Sequence, residues 1–170
     1  MSNFKEITPY ELRENPFKLI NKDWGLVTVD TGEKVNMMTI SWGGVGIMWN
    51  KTVAFTFIRP QRYTFDFLNR DEYYAISFLP DEYRKQLQIC GTKSGRDTDK
   101  VKECNLTPIT NEQAPYFEES KLVLICRKMY AQDLNAESAV DQAVLGSYAE
   151  DGSDYHRMYI SEIVKVLVKE

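Results

Sequence analysis

Thr52-Val-Ala-Phe-Thr-Phe-Ile-Arg-Pro-Gln-Arg-Tyr-Thr64 is the stretch of sequence that decides the fold. From 52 to 58 the residues alternate and are dominated by Val, Phe, Thr and Ile, which predicts a β-strand. After the proline, the apolar residues of 63 to 68 recur at helical spacing, so we expect a helix there. The junction carries Arg59 and Arg62. A strand that runs into a helix at this point directs backbone N–H groups and guanidinium groups toward one spot, which suits a phosphate.

A second interpretation of the two arginines is that they pair with surface carboxylates. Thr64 favours the anion site, because its hydroxyl in the first helical turn can donate to the same anion. The sequence leaves both interpretations open at this point.

The rest of the chain predicts an antiparallel barrel with peripheral helices, because short strands dominate and helices fall between them at irregular intervals. A capped turn begins at Thr8, and the glycines of 43 to 46 interrupt the strand pattern. We expect one domain over 1–170, without internal repeats or linkers. The further predicted strands cover 24–29, 35–42, 73–79, 121–130 and 158–168, and the further predicted helices cover 81–89 and 98–104.

Composition limits the classes of function. The chain has 170 residues, a hydrophobic fraction of 43% and a charged fraction of 27%, which are ordinary for a globular protein. No apolar run reaches the length of a membrane span, and the first residues lack signal-peptide character, so we expect a cytoplasmic protein that does not bind membranes. The net charge of −4 argues against a nucleic-acid partner. The spacing of Cys90, Cys104 and Cys126 predicts neither a metal site nor a disulfide, and buried free thiols are expected.

The strand from 36 to 42 mixes soft apolar side chains with small polar ones. Met37, Met38, Met48, Trp42 and Trp49 could form an apolar floor for a planar ring, although such residues are more often ordinary core. A ligand is favoured by three polar neighbours that a buried core strand would have to satisfy: Asn36, Thr39 and Ser41.

The polar glycine turn from 93 to 100 has two interpretations. It could be a mobile, exposed loop, or it could close over a ligand, with Ser94 and the Gly95 amide donating hydrogen bonds and Lys100 adding a positive charge. We expect Asp97 and Asp99 to cap the following helix. His156 is the only histidine; it is either a structural residue at the start of a strand or a catalytic one.

Four motifs in this order resemble one family. They are Asn36-x-Met-Thr-x-Ser-Trp42, Ile58-Arg-Pro-x-Arg-Tyr-Thr64, Ser94-Gly-Arg-Asp-x-Asp-Lys100 and His156-x-x-Tyr-Ile-x-Glu-Ile163. The pattern is similar to the flavin reductase-like, FMN-binding split-barrel family, in particular to its flavoredoxin-like branch. The resemblance implies a six-stranded antiparallel split β-barrel with Greek-key connections, and a homodimer with FMN sites near the subunit interface.

The resemblance also implies roles for residues. The strand residues Met38, Thr39, Ile40 and Ser41 would face the isoalloxazine, and Asn36 would also belong to the cofactor site. Arg59, Arg62 and Thr64 would hold the phosphate, Ser94, Gly95 and Lys100 would close over the flavin, and His156 would lie near the site. Ser161 departs from the family pattern, because many members have glycine before the glutamate of the last strand.

The function implied is an FMN-dependent oxidoreductase that takes electrons from NAD(P)H or a redox-protein partner and passes them to a flavin, a small acceptor or another protein. One alternative is a non-enzymatic flavin or haem carrier on the same barrel. Another is a pyridoxamine-phosphate oxidase-like activity, which the arginine and Ser-Gly-Arg-Asp motifs make weaker.

Overall fold

The computed structural model describes residues 3–170. Its strands are β1 (Phe4–Ile7), β2 (Gly25–Asp30), β3 (Val35–Ile40), β4 (Gly43–Met48), β5 (Lys51–Ile58), β6 (Tyr73–Phe78), β7 (Pro108–Ile109), β8 (Tyr116–Phe117), β9 (Leu122–Asp133) and β10 (Arg157–Lys169). Its helices are α1 (Pro16–Lys18), α2 (Tyr63–Arg70), α3 (Arg84–Thr92) and α4 (Lys100–Cys104). A π-helical turn covers Leu19–Asp23, and 3-10 turns cover Pro9–Glu11, Asp81–Tyr83 and Gln142–Ser147.

The strands form a mainly antiparallel β architecture, as the sequence predicted. The main sheet has the order β3-β2-β6-β9-β10-β5-β4, and β1 pairs with the far end of β10. β10 is long enough to pair with β5 over its first half, with β1 over its last residues and with β9 along its length. Within the described residues this sheet has eight strands, so the prediction of six was wrong. The extra strands are β1 and β4.

The glycines of 43 to 46 form β4 rather than an interruption. Gly43 has φ +149°, and a Cβ at this position would lie 2.6 Å from the carbonyl oxygen of Phe55, so glycine allows the close pairing with β5. Trp49 and Asn50 both have positive φ, at 50° and 57°, and make a two-residue hairpin turn whose twist suits the flanking strands.

Three apolar clusters fill the fold. The largest lies among the strands and contains Met38, Ile40 and Leu124, whereas Met37 points to the opposite face and packs with α3 and α4. A third cluster lies under the small β7–β8 hairpin. The alternation of β3 therefore places successive side chains in two different cores. Among the described residues no helix is long and apolar enough to cross a membrane.

A buried hydroxyl network crosses the main core. Tyr74 Oη donates to Ser161 Oγ at 2.9 Å and lies 2.9 Å from Thr56 Oγ1, and all three residues are buried. Burial raises the pKa of the Tyr74 phenol, so the group stays protonated. Ser161, where the family pattern often has glycine, therefore has a structural use in this chain, since its hydroxyl oxygen accepts a hydrogen bond from the tyrosine.

We expect Tyr74→Phe to lower the free energy of unfolding by about 1–3 kcal/mol, because it removes the shared partner of two buried hydroxyls. Urea unfolding at neutral pH measures the change. Ser120→Ala is the matched control: its buried hydroxyl has no hydrogen-bond partner within the described chain, so its removal should cost less than Tyr74→Phe. Equal losses for the two variants would contradict the network.

Candidate functional site

A cavity of about 250 Å³ opens where β3 and β5 end and β10 begins. Many of the predicted site residues line it together with Trp42 and Phe57: Met38, Thr39, Ile40, Ser41, Arg59, Arg62 and His156. Phe57 was not singled out from the sequence. Because side chains alternate along a strand, Phe57 lies on the face of β5 opposite to Ile58, which packs in the core.

Arg62 brings a half-buried guanidinium to this pocket without a carboxylate to balance it. The group makes a long contact of 3.5 Å to the carbonyl oxygen of Cys90, and none of the ion pairs within residues 3–170 involves it. Burial, and then the nearby Arg59, lower the pKa of Arg62, in keeping with a positive charge that has no carboxylate partner among the described residues. An anion in the pocket would compensate it.

Arg59 lines the same pocket, but its guanidinium is already paired. It forms an ion pair with Asp154, donates to the carbonyl oxygen of Ser147 at 2.9 Å and lies over the Tyr148 ring at 5.3 Å. From the sequence, both arginines could either bind a phosphate or pair with surface carboxylates. In the structure Arg59 pairs with a carboxylate, whereas Arg62 remains available to bind an anion.

Asn36, Thr64 and Gly95 lie together behind the pocket rather than on its wall. The Asn36 side-chain amide donates to Thr64 Oγ1 at 2.9 Å, and all three residues are buried. A Cβ on Gly95 would overlap the Asn36 amide oxygen, so the glycine is needed for this close approach. Ser94 is half-buried in the adjoining turn, where its Oγ accepts from the Arg96 backbone N–H at 3.2 Å.

Lys100 does not reach over the pocket. Its side chain is only 4% exposed, and its Nζ donates to the carbonyl oxygens of Cys90 and Lys93, both at 3.2 Å, at the end of α3. The amine thus binds the C-terminal end of α3 from the inside of the fold, and a contact with a ligand stays a prediction. Burial lowers its pKa to about 8. Asp99 caps α4 as predicted, by accepting from the Lys102 backbone N–H.

The thiols are buried and free, as expected, but two of them touch. Cys90 Sγ and Cys104 Sγ lie 3.7 Å apart between α3 and α4, a contact that the spacing in the sequence did not predict. Burial raises the pKa of Cys90, Cys104 and Cys126, so all three favour the unreactive thiol form. Among the described residues no group of three or more side chains could hold a metal ion.

His156 lies on the pocket wall and is 9% exposed. Its Nδ1 is 3.0 Å from Tyr148 Oη, and its ring packs against Trp42 with 5.0 Å between centroids. Burial, and then the positive charge of Arg59, lower its pKa to about 4. At neutral pH the imidazole is therefore uncharged, and it can take part in hydrogen bonding and ring packing without adding charge to the site.

A model of the flavin reductase-like domain family matches residues 18–170. The chain is a member of the flavin reductase-like family. The search of curated proteins found no match. Among solved structures, flavoredoxin from Methanosarcina acetivorans has a TM-score of 0.69 at 18% identity, covering 87% of this chain and 69% of that one.

Three further solved structures share the fold. Nitrilotriacetate monooxygenase component B from Bacillus cereus has a TM-score of 0.69 at 16% identity, covering 96% of this chain and 81% of that one. An FMN-binding protein from Thermus thermophilus, solved with bound p-hydroxybenzaldehyde, has a TM-score of 0.66 at 17% identity, covering 96% and 83%. The split-barrel class of this flavin reductase-like chain is confirmed by a protein with a split barrel domain from Shewanella frigidimarina, which has a TM-score of 0.68 at 20% identity, covering 94% of this chain and 75% of that one.

The lowered pKa predicts how His156 titrates. We expect the ring proton signals of this single histidine to shift with a midpoint near pH 4 in the folded protein, measured by proton NMR. In the unfolded chain the ordinary value is about 6.5. Because only the unfolded state takes up this proton between the two values, His156 stabilises the fold above about pH 6.5, and that contribution is lost as the pH falls toward 4. A folded-state midpoint near 6.5 would contradict the buried environment.

Proposed function

We propose that this flavin reductase-like protein is an FMN-dependent oxidoreductase. The observation that carries the proposal is the half-buried Arg62 guanidinium, which has no carboxylate partner among the described residues, in a pocket that Met38, Trp42 and Phe57 also line. FMN has a phosphate for such a cation and a flat ring for such apolar side chains, so we call this cavity the flavin pocket. The family membership supports flavin chemistry, and among the relatives of the same fold several are described as FMN-binding.

The residues present fit this cofactor. Arg62 would bind the phosphate, and Ser41 and Thr39 lie where β3 meets the pocket wall. Trp42 and His156 pack against each other and form an uncharged aromatic wall that would exclude water from a ring. Thr39 is already engaged, since its hydroxyl donates to the Leu87 carbonyl oxygen at 2.5 Å and ties the end of β3 to α3. When bound, FMN supplies the hydride and electron transfer, so no side-chain nucleophile is required.

The electron donor we propose is NAD(P)H or a redox-protein partner, and the acceptor is a flavin, a small molecule or another protein. Support comes from relatives of the same fold, which include a styrene monooxygenase flavin reductase from Pseudomonas putida S12. Three free, buried thiols suit a reducing compartment, which supports a cytoplasmic location.

A flavin carrier without turnover is the second candidate, since one relative is described only as an FMN-binding protein. Absorption spectra of the FMN-loaded protein under anaerobic conditions separate the two. Bleaching of the flavin bands by NADH or NADPH supports the oxidoreductase. Bands that persist with both nucleotides and with a reduced flavodoxin favour the carrier.

We expect Arg62→Gln to weaken FMN binding at least tenfold and to leave riboflavin binding nearly unchanged, because only FMN carries the phosphate. Fluorescence titration of both flavins measures the two dissociation constants. Arg13→Gln makes the same charge change at an exposed position away from the pocket, and should alter neither. Equal affinities of the wild type and Arg62→Gln for FMN would contradict the phosphate site.

We also propose a homodimer. Several aromatic side chains are packed within the chain: Tyr63 and Phe67 contact each other, and Tyr116 is buried. Large apolar side chains are instead exposed along β4 and the end of β9: Trp42, Ile47, Trp49 and Tyr130. β4 is an edge strand, and an exposed apolar edge is stabilised when a second copy covers it.

We expect the wild type to sediment as a dimer at twice its mass of 19.8 kDa, and Ile47→Asp to sediment as a monomer, because the substitution places a charge on the proposed interface. Analytical ultracentrifugation measures both. Val140→Asp is the control, since Val140 is fully exposed and lies away from β4. A monomeric wild type, or an Ile47→Asp dimer as tight as the wild-type dimer, would rule out this interface.

A further inference from the structure

A second cavity of about 410 Å³ lies beside the flavin pocket, and Trp42 lines both. Its other walls come from the segment 134–155, which connects β9 to β10. We call this cavity the distal chamber. Its volume is in the range of small-molecule sites and is enough for a compound of one or two rings.

The walls of the distal chamber are aromatic and aliphatic. Tyr148 and Tyr155 pack with 4.6 Å between ring centroids, and the aliphatic wall comes from Leu134, Val144 and Leu145. Every described residue that lines the chamber is uncharged. Such walls suit the ring of an apolar ligand and offer no partner to a phosphate or a carboxylate.

The chamber is fixed to the flavin pocket by specific contacts. Arg59 holds Asp154 and the Ser147 carbonyl oxygen, and Tyr148 Oη lies 3.0 Å from His156 Nδ1. Asp154 also accepts from the Ala149 backbone N–H at 2.7 Å. Residues of the flavin pocket therefore hold the chamber wall in place, so a ligand in the chamber would lie next to a ligand in the pocket.

The segment around the chamber is acidic. From 129 to 156 the sequence has no Lys or Arg, and its carboxylates are Asp133, Glu137, Asp141, Glu150, Asp151 and Asp154. Two of these are balanced, Asp133 by Arg157 and Asp154 by Arg59. The others give the rim a negative potential that repels anions at low ionic strength.

We propose that the distal chamber binds an uncharged aromatic compound and discriminates against anionic compounds of the same shape. That this compound is a substrate of the oxidoreductase rests on the proposed function, whereas its binding does not. Nicotinamide nucleotides carry a diphosphate, so the chamber is poorly suited to them, and they would have to approach the flavin pocket by another route.

Benzamide, benzoate and benzamidine test the proposal, because they have nearly the same shape and differ in charge. Ligand-observed NMR titrations at low salt give their dissociation constants, with and without FMN. We expect benzamide to bind at least tenfold more tightly than benzoate, with a smaller difference at high salt. Equal affinities for benzamide and benzoate, tighter binding of benzamidine, or no benzamide binding would overturn the proposal.

Variants that fill the chamber locate the binding. Leu145→Trp, and Val144→Trp at a half-exposed position, should each weaken benzamide binding at least tenfold, whereas Val140→Trp, which lies outside the chamber, should not. Benzamide binding that survives both filling variants in folded protein would overturn the proposal. If the protein binds benzamide but not FMN, the proposed function is refuted and the proposal that the distal chamber binds an aromatic compound is supported.

Discussion

The antiparallel pairing of β10 with β5 is the constraint on which the rest of the structure depends. Its register sets Arg157 opposite Ile58, so the residues just beyond the two strand ends, His156 and Arg59, are brought side by side. This neighbourhood supplies one wall of the flavin pocket and contributes to the low pKa of the imidazole. The same strand carries Ser161, which anchors the hydroxyl network of the core. One pairing therefore positions the site and a buried network behind it.

The sequence was most informative where local signals agree. The alternation of 52 to 58, the helical spacing after Pro60 and the strand patterns of 24–29 and 35–42 predicted β5, α2, β2 and β3, because each depends on residues close in the chain. The glycines of 43 to 46 misled for the same reason. Local propensity marks glycine as a breaker, whereas here the approach of Phe55 requires it.

The site was less predictable, because its contacts join residues far apart in sequence. Nothing near Arg59 indicates that Asp154 will balance it, and nothing near Lys100 indicates that its amine turns inward to the end of α3. The contact between Cys90 and Cys104 likewise appears only when two helices meet. The order of the motifs indicates the region of the site. The residue that pairs with each charged side chain is known only once the chain is folded.

Two of the three basic side chains that line the pocket add no net charge to it: Arg59 is neutralised by Asp154, and His156 is uncharged at neutral pH. Arg62 and the buried Lys100 both contact the Cys90 carbonyl oxygen, so two cations share one neutral acceptor at the end of α3. Burial disfavours the charged form of both groups and lowers the pKa of Lys100 to about 8. A phosphate beside Arg62 would favour the charged form of both cations, so the arrangement would be stabilised by the anion that the pocket is proposed to bind.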